Sequence, residues 1–308
     1  VPFSPHYRLL LRNGAVRKIL ERFQPDVIEC QDAYNLPWAA IAHRKAHPDT
    51  ALVAGYMTDF PTVYAARPIS KAVGQRIGNA AGRLCYRYCG KLYRQFDAVY
   101  ALSDHGGGHT LRSLGVENVH ILPLGVELDA FSPDRRDPQL RRSLGLSEGQ
   151  PLLIYVGRLD IEKRPDIVVD AFRQLPESIG AKLVILGQGP MKEQFEALRD
   201  PRIVTPGFVN NREELARWLA SADIYVSAMP NETFGVSVIE AQASGLPVVG
   251  VAGGAMIERV LPGMGLLGPV GDTEAMAANI QQVWSDDPRG MGQRGRDHVA
   301  GEFSWAHT

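Results

Sequence analysis

Short apolar runs alternate with helical stretches along almost the whole chain, and this alternation restricts the fold more than any other feature. Residues 26–30, 51–55, 98–102 and 119–122 read as strands. Around them, 8–23 is amphipathic with helical spacing, 36–46 reads as helix, and 70–96 is a long helical stretch broken near Gly78 or Gly82. A further helix lies near Thr110. After a polar stretch at 132–138 the pattern restarts, with strands at 152–156, 182–186, 203–205, 224–227 and 248–251. Helices fall around 165–175, 190–199, 213–222 and 273–284. Repeated β-α-β units demand parallel sheets with helices on both faces. Two such series predict an α/β chain of two Rossmann-like domains, 1–131 and 132–308, with a cleft between their strand ends.

A length of 308 residues supports two domains with cores of their own. A net charge of −1 argues against bulk attraction to nucleic acid. Three cysteines, Cys30, Cys85 and Cys89, make no disulfide framework and suit a reducing cytosol. No run present reads as a membrane span or a signal peptide, so the expected location is cytoplasmic.

The segment Asn231-Glu232-Thr233-Phe234-Gly235-Val236-Ser237-Val238-Ile239-Glu240-Ala241 carries the most chemistry. A buried strand precedes it, and helical spacing begins at Val236. Strand, loop and helix N-terminus is where an α/β protein holds a phosphate. Gly235 lets the backbone come close, and N–H groups around Phe234, Gly235 and Val236 would face an anion. Glu240 lies ~7 Å further along the helix axis, in reach of a ribose diol beyond the phosphates. Glu232, on the loop, would take the other end of the ligand. Arg158 and Lys163 follow the first strand of the second series, where two cations would neutralise a pyrophosphate leaving group.

This segment resembles the Glu-x7-Glu signature of retaining GT-B glycosyltransferases of family four. Gly157-Arg158-Leu159-Asp160-Ile161-Glu162-Lys163-Arg164-Pro165 is similar to that family's Gly-Arg…Glu-Lys loop, and Gly187-Gln188-Gly189-Pro190 to its "GxGP" turn. Ser244-Gly245-Leu246-Pro247-Val248-Val249, the glycines Gly253-Gly254, and Pro123-Leu124-Gly125-Val126-Glu127 with Phe131 resemble its "SGLPVV" entry, following loop and "PxGVD…F" segment. The resemblance implies a GT-B fold with an N-terminal acceptor-side domain and a C-terminal nucleotide-sugar domain. It implies a mannosyltransferase-like, metal-independent hexosyltransferase without a cofactor. That enzyme would move a hexose from GDP-mannose or a UDP-hexose to a glycan or lipid, with retention. Glu232, Arg158, Lys163 and Asp59 are then the catalytic candidates. Gly157, Arg158, Lys163, Gly187, Gly189, Glu232, Phe234, Gly235, Val236 and Glu240 are the donor-binding candidates. In the resembled family a strand and glycine-rich loop precede the region matching 8–30, and a helix follows the Phe-Ser-Trp, so the chain reads as a fragment.

Alternatives remain at each position. Arg158 and Lys163 fit a solvated loop with an Asp160–Lys163 pair, and Glu232 and Glu240 fit exposed acids. Paired carboxylates also suggest a glycosidase, which needs them ~5–9.5 Å apart across one bond. Gly187 and Gly189 fit a plain strand-to-helix turn. A dehydrogenase fingerprint would need a third glycine where Lys192 stands, and Gly106-Gly107-Gly108 lacks the spacing.

In the first domain, Tyr56-Met57-Thr58-Asp59-Phe60-Pro61 resembles "YHTDFP", with Met57 in place of a histidine that faces the donor sugar. Met neither titrates nor donates a hydrogen bond, so a non-catalytic nucleotide-sugar-binding protein is a second reading. Asp59 fits a cleft carboxylate or a turn residue. His105 and His109, or Cys85 and Cys89, have half-site spacing but no further ligands nearby, so no metal is expected. The stretch 60–96 contains no acidic residue, and Arg76, Arg83, Arg87 and Arg94 fall on one helical stripe, with Ile77, Leu84, Tyr88 and Leu92 facing away. That stripe is a solvated basic face, or it docks on an anionic membrane as a peripheral contact.

Overall fold

The computed structural model describes residues 12–306, which fall into two compact units that divide between Leu122 and Pro123. The helix expected over 8–23 is present as α1 (Asn13–Phe23), and its first positions lie outside the described residues. There follow β1 (Val27–Cys30), α2 (Leu36–Ala46), β2 (Ala51–Tyr56), α3 (Arg67–Val73), α4 (Gln75–Tyr93), β3 (Ala98–Ala101), α5 (His109–Ser113) and β4 (Val119–Ile121). All adjacent strands are parallel, in the order β1-β2-β3-β4. The sheet buries Leu52, Ala54, Val99 and Ala101 against Ala40, Ile41, Cys89 and Leu92.

The helical stretch at 70–96 breaks at Gly74, not at Gly78 or Gly82. Gly74 has φ 101°, a conformation that an L side chain resists. Gly78 and Gly82 instead lie on the buried side of α4, where a Cβ at Gly78 would stand 1.9 Å from Ser70 Oγ. Small residues therefore make the packing face of the first half of α4, while Cys89, Leu92 and Tyr93 are buried in its second half. As a result Ile77 and Leu84 do not face the core: they are 56% and 67% exposed, beside the exposed Arg76, Arg83, Arg87 and Arg94.

The second unit contains α6 (Pro138–Ser143), β5 (Leu152–Val156), α7 (Pro165–Arg173), β6 (Lys182–Leu186), α8 (Lys192–Glu196), β7 (Ile203–Gly207), α9 (Arg212–Ser221) and β8 (Ile224–Val226). It continues with α10 (Val236–Ala243), β9 (Val248–Val251), α11 (Met256–Arg259), β10 (Gly265–Gly268), α12 (Thr273–Ser285) and α13 (Pro288–Glu302). Its parallel sheet runs β10-β9-β8-β5-β6-β7. Leu152, Leu153, Ile154 and Tyr155 are all buried, as a central parallel strand covered on both faces requires. The chain winds from β5 out to β7, then returns to place β8 on the other side of β5. The β5–β8 neighbours thus mark a topological switch point, outside whose strand C-termini open α/β sheets bind ligands.

The units divide at Leu122/Pro123, earlier than the 131/132 boundary read from the polar stretch. Segment 123–131 packs into the second unit by backbone contacts. Val126 N–H donates to Phe303 O at 2.7 Å, Val126 bridges Ser304 in parallel, and Phe131 is fully buried. The strand β10 and the helix α13 were not read from sequence. Among the described residues, no helix is long and apolar enough to cross a membrane.

Candidate functional site

The switch point brings together two loops far apart in sequence. One, after β5, carries Arg158 and Lys163, and the other, after β8, carries Glu232. Lys163 Nζ donates to Glu232 Oε2 at 3.0 Å. Glu232 is 8% exposed, so this carboxylate is buried and paired rather than solvated. Its loop is held by its own carbonyl, which accepts from Ala255 N–H at 2.7 Å. The Asp160–Lys163 pair read as an alternative takes another form. Asp160 Oδ1 accepts from the backbone N–H of Glu162 and of Lys163, each at 3.1 Å, which folds the loop and leaves the ammonium to Glu232. The Arg158 side chain is 54% exposed, and Asp160 and Glu162 hold its guanidinium, the latter at 2.8 Å.

Gly235 caps α10 in the left-handed region, at φ 90° and ψ 54°, which turns the chain sharply from the Glu232 loop into the helix. The first N–H groups of a helix have no intrahelical partner and carry the positive end of its dipole. Here that end opens beside the Lys163–Glu232 pair. Tyr225 of β8 donates its hydroxyl to Ser237 Oγ at 2.7 Å and pins the first turn to the sheet. Val236 is 42% exposed, whereas the Phe234 side chain is buried.

Gly187 and Gly189 act on a neighbouring backbone. A Cβ at Gly187 would lie 1.9 Å from Gly157 O, and one at Gly189 would lie 2.3 Å from Leu159 O. The loops after β5 and β6 are stitched by Gly157 N–H to Leu186 O at 3.0 Å and Leu159 N–H to Gln188 O at 2.9 Å. These glycines thereby fix the loop that bears Arg158 and Lys163.

Glu240 is 6% exposed on α10, which rules out the solvated acid. Burial pushes its carboxyl from 4.5 up to about 7, against the pull of Arg212 and with a push from Glu127. Arg212 Nη2 stands 3.6 Å from Glu240 Oε1, its Nε 3.4 Å from Glu127 Oε2, and its guanidinium 5.1 Å from the centre of the Phe131 ring. Sequence reasoning missed Arg212, and it placed Glu127 and Phe131 in the other domain. It also missed Arg259. That side chain is 3% exposed, donates from Nε to Phe234 O at 3.0 Å, and lies 4.4 Å and 4.5 Å from the centres of the Phe234 and Phe303 rings. Burial lowers the Arg259 pKa to about 10, with Glu258 and Glu232 opposing. Its one signal in sequence is a charged pair, Glu258-Arg259, inside an apolar run.

In the first unit, Asp59 follows the C-terminal end of β2. It accepts from Tyr56 Oη at 3.0 Å and from Tyr86 Oη at 2.8 Å, and Tyr86 Oη lies 2.9 Å from Thr62 Oγ1. Its side chain is committed to two phenols rather than to a backbone turn. Met57 is half-buried on the same segment.

Residues 136–298 match the family model of glycosyl transferases group 1, and residues 1–130 match that of glycosyltransferase family 4. A "GDP-mannose-dependent alpha-(1-6)-phosphatidylinositol dimannoside mannosyltransferase" of Mycobacterium tuberculosis is 31% identical over 81% of this chain and 62% of its own length. A "D-inositol 3-phosphate glycosyltransferase" of Mycolicibacterium smegmatis is 30% identical over 90% of this chain and 61% of its own. The chain thus spans less than two thirds of these relatives. Among solved structures, sucrose-phosphate synthase of Thermosynechococcus elongatus superposes with a TM-score of 0.79 at 22% identity, covering 98% of this chain and 78% of that one. Anabaena HepE in complex with UDP and glucose gives 0.73 at 17% identity, covering 97% and 80%. At these identities the superpositions establish the fold: two parallel-sheet α/β units of the GT-B class.

Proposed function

Because the chain belongs to the glycosyl transferases group 1 family, we propose that it transfers a hexosyl group from a nucleoside diphosphate sugar to a glycan or lipid acceptor, with retention at the anomeric carbon. The observation that carries this reading is the Lys163–Glu232 pair, at 3.0 Å, beside the N-terminus of α10 at the β5–β8 switch point. A diphosphate placed there meets the Lys163 ammonium and the open N–H groups of Val236 and its neighbours. Two positive groups neutralise the leaving diphosphate without a divalent ion. Glu232 then accepts from donor-sugar hydroxyls, and Glu240, one turn further along α10, accepts from the ribose diol. Arg158 reaches the phosphates by exchanging Asp160 and Glu162 for them. The names of the relatives favour GDP-mannose as donor and an inositol-bearing acceptor, with UDP-hexoses the next donors to try.

Calorimetry with GDP, UDP and ADP tests the site, and turnover of the matching sugar nucleotides tests the reaction. Failure of all three diphosphates to bind a folded sample refutes the proposal. NMR of the product anomer decides retention, and unchanged turnover in EDTA decides metal independence. Met57 favours the second reading, a nucleotide-sugar-binding protein without catalysis, and turnover by this chain excludes it.

An anionic membrane surface is proposed as a further partner, placing the protein peripherally at the cytoplasmic face. Support comes from α4, where Arg76, Arg83, Arg87 and Arg94 stand exposed beside the apolar Ile77 and Leu84, with Val73 exposed at the end of α3.

A further inference from the structure

His43 and His47 lie one turn apart on α2, and both face Glu21 of α1. His43 Nδ1 is 3.5 Å from Glu21 Oε1, and His47 Nε2 is 3.2 Å from Oε2 and 3.3 Å from Oε1. One donor atom from each of the three side chains lies within 4.8 Å of the other two. Metal–ligand bonds of ~2.0–2.2 Å in tetrahedral geometry place neighbouring donors ~3.3 Å apart. Two of the three separations already match that spacing.

His43 supplies a second, independent observation. It is 3% exposed, yet Nε2 has no partner and Nδ1 faces only the Glu21 carboxylate, at a 3.5 Å separation that does not make a hydrogen bond. A buried polar group without a partner is costly, and native proteins rarely leave one so. The stacked ring of His47, 4.3 Å away between centroids, offers no donor to it. A cation between the three side chains would give His43 a partner.

We propose that Glu21, His43 and His47 form a site for a first-row transition-metal dication, Zn2+ foremost, that ties α1 to α2. Two imidazoles and one carboxylate suit Zn2+ and its neighbours, and do not suit Mg2+ or Ca2+, which prefer oxygen ligands. Glu21 lies near the end of α1 and His47 just after α2, so the site sits where β1 and β2 begin. Asp59 follows the opposite end of β2. The metal is therefore structural, and this inference does not depend on the transferase reading.

The test uses the tag-free full chain, stripped with EDTA and titrated with ZnCl2 by calorimetry and thermal unfolding. Glu21→Gln and His47→Ala are the variants, since their side chains are 53% and 30% exposed and tolerate replacement. The wild type is expected to bind Zn2+ one to one with a raised melting midpoint, to show visible ligand-field bands with Co2+, and to ignore Mg2+. Both variants, with unchanged circular dichroism, are expected to lose all of this. Absence of Zn2+ binding by the wild type, or its retention by either variant, overturns the proposal.

Discussion

Replacing Glu240 by Gln should stabilise the second unit at alkaline pH while weakening nucleotide binding. The carboxyl is 6% exposed, and burial raises its pKa from 4.5 to about 7. A carboxyl with a raised pKa binds its proton more tightly in the folded state. Its contribution is therefore fully present below pH ~4.5 and is lost as pH rises through ~7. At about 1.4 kcal/mol per pH unit, the ionised group costs the folded state roughly 3 kcal/mol above pH 7. Gln keeps the shape and cannot ionise. It gives up the Arg212 contact, which at 3.6 Å and with Arg212 55% exposed contributes under about 1 kcal/mol. With that loss set against the gain, at ~2–4 °C per kcal/mol for a unit of this size, Glu240→Gln should raise the melting midpoint at pH 8 by roughly 4–12 °C. The two curves should converge near pH 5. Differential scanning calorimetry from pH 5 to 8 without nucleotide reads this directly. In parallel, loss of a charge-assisted hydrogen bond to ribose should weaken GDP or UDP binding about tenfold. A variant no more stable than wild type at pH 8, or a gap that does not change with pH, would refute the reasoning. An acid kept in the ionised form at a cost to stability is the signature expected of a functional group.

Lys163→Ala should weaken diphosphate binding about tenfold or more and leave nucleoside binding nearly unchanged; equal losses for both ligands in calorimetry would move the phosphate site elsewhere. Arg259→Ala removes the hydrogen bond to Phe234 O and the cation between two rings, so urea unfolding should show a loss of about 3 kcal/mol or more. Unchanged stability there would mean that Arg259 does not anchor the Glu232 loop. Wild-type protein should sediment with anionic but not neutral vesicles at low salt, at about 1 kcal/mol per arginine. A fourfold Arg→Gln variant at Arg76, Arg83, Arg87 and Arg94 should stay in solution, and wild type that ignores anionic vesicles leaves the stripe a solvated face.

Much of the architecture was legible because its signals are local. The strands at 152–156, 182–186 and 248–251 and the helix at 36–46 were read with their observed bounds, since a buried strand needs an unbroken apolar run and a helix needs its period. Where the signal was diluted, the reading failed. The helix α13 contains Gly290, Gly292, Gly295 and Gly301, residues of low helix propensity, and it forms because it packs on the rest of the unit. There a Cβ at Gly292 would lie 1.9 Å from Gly245 O, so the glycine that hides the helix in sequence is the one that lets it dock. Half of the α4 face was misassigned for a related reason: Tyr88 and Leu92 do pack on the core, but in the first half of the helix hydrophobic periodicity points to Ile77 and Leu84 while close packing selects the small residues Gly78 and Gly82.

For the site, the sequence alone determined which residue types lie at each strand end: Arg158 and Lys163 after β5, Glu232 before the Gly235 turn, and Glu240 on the following helix. These are consequences of order along the chain. Their partners are consequences of strand order in space. Only the placement of β8 beside β5 brings Lys163 to Glu232, across 69 positions of sequence. Only the return of segment 123–131 onto the second unit sets Glu127 and Phe131 against Arg212, and only the burial of α10 raises the Glu240 pKa, with Glu127 adding to it. Likewise, only the packing of α1 on α2 joins Glu21 to the two histidines. Charge, burial and pKa depend on distances through space, and a one-dimensional pattern carries the residues but not those distances.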